Sequence, residues 1–380
     1  AKARQALGAA RRINPNAIIV ATGCYAQRAA EDLEKLDCVS LVINNTTKHD
    51  LVTKTIKLHQ QSSDLQPRKP QVPASLSGSG QSDTETSGIY RTRAMVKIQE
   101  GCNQICAYCI VPKVRGRERS ISTEDLIRQI IDLQNHGYQE VVLTGTQLGS
   151  YGFDLARMNL TGLIKRILSE TTIPRIRVSS LQPQEITPGL LSLWDDSRLC
   201  PHFHIPLQSG SDQTLRSMRR RYTSQLYSKV LRWIRESVPN VSITTDVIVG
   251  FPGETDEQFQ ETYSLCDNSE FASIHVFPYS ARPGTSAAHF PLQVDPEIKA
   301  ARVQELLKLA EDHSHKFRTK MLNTTKHVLL ERKRSDGNWV GLTDNYVKVG
   351  VSAEKDLTNQ FQYINLAKVE NDLVIGELVD

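Results

Sequence analysis

The chain has no long apolar run: nothing in its 380 residues approaches the roughly 18 consecutive apolar side chains of a membrane span. No basic-then-apolar segment opens it either, so a cytoplasmic protein is the expectation. Strong charge of one sign is also missing. The 46 Lys+Arg and 42 Asp+Glu leave a formal net charge of +4, too small to establish nucleic-acid binding by itself. Cysteine is sparse, with seven in all, which excludes a disulfide-built secreted scaffold. What remains is an ordinary globular composition, 39% hydrophobic and 23% charged, with length for two to three domains.

Against that thin supply, Cys102, Cys106 and Cys109 stand together at C-x3-C-x2-C spacing. Three thiolates on one tight loop can hold three corners of a cubane iron–sulfur cluster, leaving the fourth iron open to a small molecule. A structural zinc site needs a fourth ligand. The first Cys or His after Cys109 is His136, at the end of an expected helix. A disulfide would leave one of the three thiols odd. Cys38, Cys200 and Cys266 read as small buried hydrophobes. Cys24 stands at the carboxyl end of an apolar strand, where open α/β sheets place their ligands.

Residues 1–60 read as an α/β unit, with strands at Ala17–Thr22 and Leu41–Ile43 and a helix from Ala29 to Leu36. Residues 61–88, rich in Ser, Gln, Pro and Gly, read as a flexible linker. Over 89–321 strands alternate with helices, which argues for a parallel sheet covered by helices. The expected strands are Ala94–Gln99, Glu140–Thr144, Arg175–Ser179, His202–Pro206, Ser242–Val249 and Ser273–Pro278. Ser122 and Asp125 open a helix over Thr123–His136, Thr255 and Gln258 form a capping box, and Asp295–Pro296 opens a long helix through Leu309. Residues 322–380 carry five short strand patterns separated by turn signals, which suggests a small β-barrel.

Two stretches are locally basic. One is Lys113, Arg115, Arg117 and Arg119; the other is Arg216 with Arg219, Arg220 and Arg221. Arg332, Lys333 and Arg334 form a third group, near Trp339 and Tyr346. Cations of this kind attract phosphate backbones and aromatics stack on unpaired bases. Solvated surface and barrel core are the structural alternatives.

The cysteine spacing, with Tyr108 before the last cysteine, resembles the radical S-adenosylmethionine (SAM) superfamily. Longer segments sharpen the likeness: Lys97–Asn103, Ile110–Pro112, Arg115–Ser120, His204–Ser211 and Asp246–Thr255 are similar to those of the methylthiotransferases. The resemblance covers nearly the whole chain. It implies a partial (β/α)6 radical SAM barrel, a truncated N-terminal α/β domain over 1–60 and a C-terminal TRAM barrel over 322–380 that grips RNA. It implies a 4Fe–4S cluster on Cys102, Cys106 and Cys109. Its open iron chelates SAM, whose reductive cleavage gives a 5′-deoxyadenosyl radical. SAM contacts would come from Tyr108, Gly145, Val249 and Gly250. The segment Gly23–Gln27 matches the motif of the third ligand of a second cluster, which assigns Cys24 to it. Its two partner cysteines would precede residue 1, the basis for expecting a fragment.

The family's substrates are a tRNA adenosine bearing a threonylcarbamoyl or isopentenyl group, or a ribosomal-protein aspartate. Met218–Thr223, His275–Ser280 and Leu342–Tyr346 resemble the threonylcarbamoyladenosine branch. The implied reaction places a methylthio group at C2 of the adenine. An electron donor, a sulfur source and tRNA are the implied partners, with no membrane. Arg219, Arg220, Arg221, Arg332, Lys333 and Arg334 are the expected RNA contacts. Another radical SAM enzyme, such as a methylase or lyase, and a non-catalytic RNA-binding iron–sulfur protein are the alternatives.

Overall fold

The computed structural model describes residues 2–63 and 92–379, in two compact units. The expected linker over 61–88 lies outside the described residues except for 61–63, which close the helix Leu51–Ser63 instead.

The first unit pairs two short parallel strands, β1 (Val20–Thr22) and β2 (Leu41–Ile43). Where one helix was expected between them there are two, Cys24–Arg28 and Ala30–Glu34. Ala29 interrupts them with φ −141°. Ala21, Ala26 and Leu33 form this unit's core.

The second unit holds six parallel strands: β3 (Arg93–Lys97), β6 (Glu140–Thr144), β7 (Arg175–Val178), β8 (His202–His204), β9 (Ser242–Val249) and β10 (Ser273–Pro278). A two-residue ladder, β4 (Gln99–Glu100) with β5 (Arg119–Ser120), flanks the cysteine loop. The strands form two parallel sheets, β3-β6-β7 and β8-β9-β10. Isolated bridges Ile176–Leu199 and Ser180–His204 join the sheets edge to edge. This is the partial (β/α)6 barrel that the resemblance implied.

The strands follow a strict period of two. Ala94, Val96, Val141, Leu143, Ile176, Val178, Phe203, Ile243 and Val247 join the core under the covering helices. The alternate residues are mostly polar, including Thr144, Arg177, Ser179, His202, His204, Ser242, Thr244 and His275, and face a cavity of about 480 Å³. The strands therefore bury one face under the helices and turn the other to the cavity.

The helix caps form as the sequence predicts. Ser122 accepts from Asp125 N, and Thr255 and Gln258 close a reciprocal capping box. The terminal helix runs Pro296–Lys320, eleven residues beyond Leu309 (320 − 309). Residues Leu306, Leu309 and Ala310 join the large core.

After it, β11 (Thr325–Lys333), β12 (Asn338–Thr343), β13 (Lys348–Ser352), β14 (Gln360–Glu370) and β15 (Leu373–Leu378) close a barrel in the order β11-β12-β13-β15-β14. Trp339 is 5% exposed and belongs to the barrel core, which removes it as a base-stacking candidate. Tyr346 stays 43% exposed, but its ring covers Arg177 at 4.5 Å and stacks on His202 at 4.8 Å.

The barrel docks against the parallel strands through buried charge. Arg177 donates to Glu140 (2.9 Å) and to the Asp344 carbonyl (3.1 Å). Arg175 donates to the carbonyls of Leu342 (3.1 Å) and His327 (2.8 Å). Glu140 is fully buried between the two guanidinium groups.

Candidate functional site

The cysteine loop leaves the carboxyl end of β3, the end of a parallel barrel where active sites collect. Gln99 pins its start. This buried amide donates to the Gly101 carbonyl (3.0 Å) and accepts from the backbone N–H groups of Thr146 and Gln147 (3.0 and 2.9 Å). Further along, Asn103 and Glu118 exchange backbone-to-side-chain bonds (3.0 and 3.3 Å). Ala107 is held from both sides, donating to the Met218 carbonyl (3.0 Å) and accepting from Ala287 N (2.8 Å). A loop with this many fixed backbone groups presents its side chains with little entropy left to lose.

All three thiols are free and partly buried. Burial pushes Cys102 up to about 11 and raises Cys109 as well. A desolvated thiol of this kind stays protonated until a cation takes the proton's place. The Arg220 guanidinium lies 3.4 Å from Cys106 Sγ.

Three free thiols on one rigid loop can take three corners of a polynuclear cluster.

Arg220 corrects the reading of a basic triplet facing RNA. Its side chain turns inward, donating to Cys106, to Gln182 Oε1 (3.1 Å) and to the Tyr222 hydroxyl (3.1 Å), while Arg219 and Arg221 stay exposed. Beside it, Gln147 and Gln182 bond each other, and Gln147 bonds the Glu185 carboxylate. Burial raises Glu185 to about 7.

Tyr108 packs edge-on against Phe251 (6.4 Å). With Ala107, Met218, Tyr279 and Ala287 they form an apolar plug beneath the loop. Gly145 and Gly250 serve different ends. Gly250 lies at φ +69°, as turn chemistry predicts, and a Cβ there would meet Lys299 Cγ at 2.1 Å. Gly145 is not in the left-handed region. A Cβ at Gly145 would sit 3.1 Å from the Gln99 carbonyl oxygen, so close backbone approach explains this glycine.

Glu254 braces the Val249–Gly250 strand end. It accepts from Gly250 N (2.6 Å) and from buried Arg302 (2.7 Å). Burial nonetheless raises its carboxyl group, and its Oε1 has no partner. In the first unit, Cys24 opens the helix after β1, directly behind Gly23 at φ +90°. Arg332, Lys333 and Arg334 are exposed at the end of β11, with Arg334 paired to Asp336 (3.2 Å).

Sequence reasoning missed one constellation. His204, Asp246 and His275, on three neighbouring strands, bring their ligand atoms within 4.8 Å of one another. His204 Nε2 lies 3.2 Å from Asp246 Oδ2, and His275 Nδ1 lies 3.1 Å from Asp246 Oδ1. The two imidazoles hold Asp246 far below the usual carboxylate range, despite burial. The signal was there in the sequence: polar residues at alternate positions of strands otherwise rich in Ile and Val.

Comparison with known proteins agrees with this geometry. The Radical SAM superfamily profile matches residues 96–266. The chain is 35% identical over its whole length to a threonylcarbamoyladenosine tRNA methylthiotransferase of Bacillus subtilis, covering 84% of that protein. It is 38% identical over 93% of its length to the Aquifex aeolicus protein of the same name, again covering 84% of the relative. A tRNA-2-methylthio-N(6)-dimethylallyladenosine synthase of Pelotomaculum thermopropionicum is 35% identical, with 86% of this chain and 73% of the relative aligned.

Proposed function

This chain belongs to the radical SAM methylthiotransferases, and from that premise we propose that it places a methylthio group on C2 of N6-threonylcarbamoyladenosine at position 37 of tRNA. A transferase of this superfamily works with SAM and a 4Fe–4S cluster. Together these supply a one-electron route into an unactivated C–H bond, chemistry that no side chain offers alone.

The protein's part is to hold, orient and shield. Cys102, Cys106 and Cys109 hold the cluster, with the Arg220 guanidinium beside Cys106. Tyr108 and Phe251 keep water from the underside of the loop. Gly145 and the Val249–Gly250 strand end expose backbone groups for SAM, the second braced by Glu254 and Arg302. Cys24 is a ligand of a second cluster. The sulfur source and electron donor are separate partners, and Arg219, Arg221, Arg332, Lys333 and Arg334 meet RNA phosphates.

One observation carries the reading: three free thiols together on a loop pinned by Gln99 and by the backbone groups of Ala107. The threonylcarbamoyl substrate draws on the names of two relatives, 35% and 38% identical over 100% and 93% of this chain. The dimethylallyladenosine synthase among the relatives keeps an isopentenyl substrate as the second reading.

Mass spectrometry of tRNA nucleosides tests both. Cells lacking the gene should lose methylthio-threonylcarbamoyladenosine and regain it on complementation, but not with Cys106→Ala. Restoration of the isopentenyl derivative instead would select the second reading. Full restoration by Cys106→Ala would overturn the site.

A further inference from the structure

The cavity on the concave face of the six strands sets a few polar groups in a largely apolar wall. Its charged lining is Arg177, Arg318, Lys348 and Asp372, three cations against one acid. Arg177 is neutralised by Glu140 and Lys348 by Asp372 (2.8 Å). Arg318 donates to the Ser314 hydroxyl (3.0 Å), and its buried Nε has no partner.

His202, His204 and His275 line the same space. His202 is 7% exposed, yet its buried Nδ1 bonds nothing. An imidazole nitrogen buried and unbonded against an open cavity is costly unless a guest satisfies it. His204 Nδ1 is taken by the Thr244 hydroxyl (2.9 Å) and its Nε2 faces Asp246. His275 is different. Its Nδ1 is taken by Asp246 (3.1 Å), its side chain is 55% exposed, and its Nε2 has no hydrogen-bond partner among the described residues.

We propose that His275 Nε2–H, with Nδ1 held by Asp246, donates to the carboxylate of an acidic substituent on the target adenine, and that His202 supplies a further polar contact deeper in the cavity. This rests on the threonylcarbamoyl reading above and deepens it by naming the group that reads the substituent.

The placement suits the substrate. Asp246 lies three residues before Val249 on β9, so the His–Asp–His set sits about 10 Å along the strand from the Val249–Gly250 end. An adenine presenting C2 to the cysteine end would extend its N6 substituent down toward that set. Asp246 raises His275 above the ordinary imidazole value, which favours the doubly protonated ring able to donate from both nitrogens. The wall around it is hydroxyl-rich, with Thr144, Ser179, Ser180 and Ser273. An isopentenyl group could use none of these donors.

A carboxylate on the base and a phosphate of the backbone would meet the same donors, so the test separates them. Cluster-loaded protein with SAM and no reductant is titrated with three anticodon stem-loops. They are identical except that the target adenosine is threonylcarbamoylated, isopentenylated or unmodified. Wild type should bind the threonylcarbamoyl RNA about tenfold more tightly than the unmodified one, the scale of one hydrogen bond to a charged group. His275→Phe should lose that preference while binding unmodified RNA within about twofold of wild type. His275→Gln, which keeps a donor without the charge, should fall between them.

Equal weakening for all three RNAs in both variants would make His275 a phosphate contact and overturn the inference. Preference undiminished in both variants would overturn it too. A wild type that favours the isopentenyl RNA, or none, would fail the substrate reading first and the inference with it.

Discussion

The two ends of the six-strand core treat buried polarity in opposite ways. At the amino end, Glu140 lies between Arg175 and Arg177, and the leftover guanidinium donors reach carbonyls of Leu342, His327 and Asp344. Nearly every charge there is matched within the chain, and the match fastens the C-terminal barrel to the core. At the carboxyl end the balance is left open. Thiols are held protonated by burial, Glu185 is pushed toward neutrality, and Glu254 Oε1 has no partner. The amino end is built to be complete and the carboxyl end to be completed by cofactor and substrate.

The largest effect should come from breaking the complete end. Glu140→Gln keeps the shape but leaves two guanidinium groups, 5% and 3% exposed, without their anion. Removing one partner of such a buried pair costs about 3–5 kcal/mol. The denaturation midpoint of the second unit should drop accordingly, followed by circular dichroism in urea. A loss under about 1 kcal/mol would mean that the barrel carbonyls alone satisfy the arginines.

That fastening also marks where the sequence was legible and where it was not. Strand and helix periods, caps and the cysteine spacing are local, and they fix the parallel core, the closed barrel and the three-thiol loop. Arg175 and Arg177 read as ordinary strand residues, because the carbonyls they reach are 152 to 167 positions away. For the same reason Arg220 read as one of three neighbouring RNA contacts: only the return of its chain beneath the loop turns it toward Cys106. His204, Asp246 and His275 are separated by 42 and 29 positions (246 − 204 and 275 − 246) and converge only through strand register. Trp339, balanced in the sequence between barrel core and base stacking, is decided by closure of the barrel around it. Local pattern names the elements, while function here comes from residues that meet across them.

A smaller effect should appear at the open end, as a pH dependence. Glu185 titrates at about 7 in the folded protein, against 4.5 for the free group. Between those values the native state binds more protons than the unfolded chain, so stability falls as pH rises from about 4.5 to 7 and levels off above. The full shift corresponds to at most about 3 kcal/mol. In cluster-free protein, the melting temperature should therefore decline between pH 5 and 7.5, a range spanning the upper part of that window. Glu185→Gln, neutral at every pH, should flatten the decline. An unchanged slope in the variant would assign it to other groups and make Glu185 an ordinary surface-like acid.

The smallest effect should come from Arg332, Lys333 and Arg334, exposed at the end of β11. They take no part in the docking contacts of Arg175 and Arg177. Lys333 does bond the Ala353 carbonyl (3.3 Å) and lies 5.9 Å from the Trp339 ring, and Arg334 pairs with Asp336, so part of their charge is already used locally. Exposed pairs of this kind are worth at most about 1 kcal/mol, so replacing all three with Ala should hardly move the fold. If these side chains meet phosphates, the triple variant should bind tRNA several-fold more weakly, and the slope of log affinity against log salt should shallow by about one per lost contact. SAM cleavage in the absence of tRNA should be unchanged, because these residues lie on the barrel, outside the cysteine loop and the strand ends beside it. Equal affinity for wild type and variant at two salt concentrations would remove this patch from the RNA surface and leave exposed Arg219 and Arg221 of the core as the phosphate contacts.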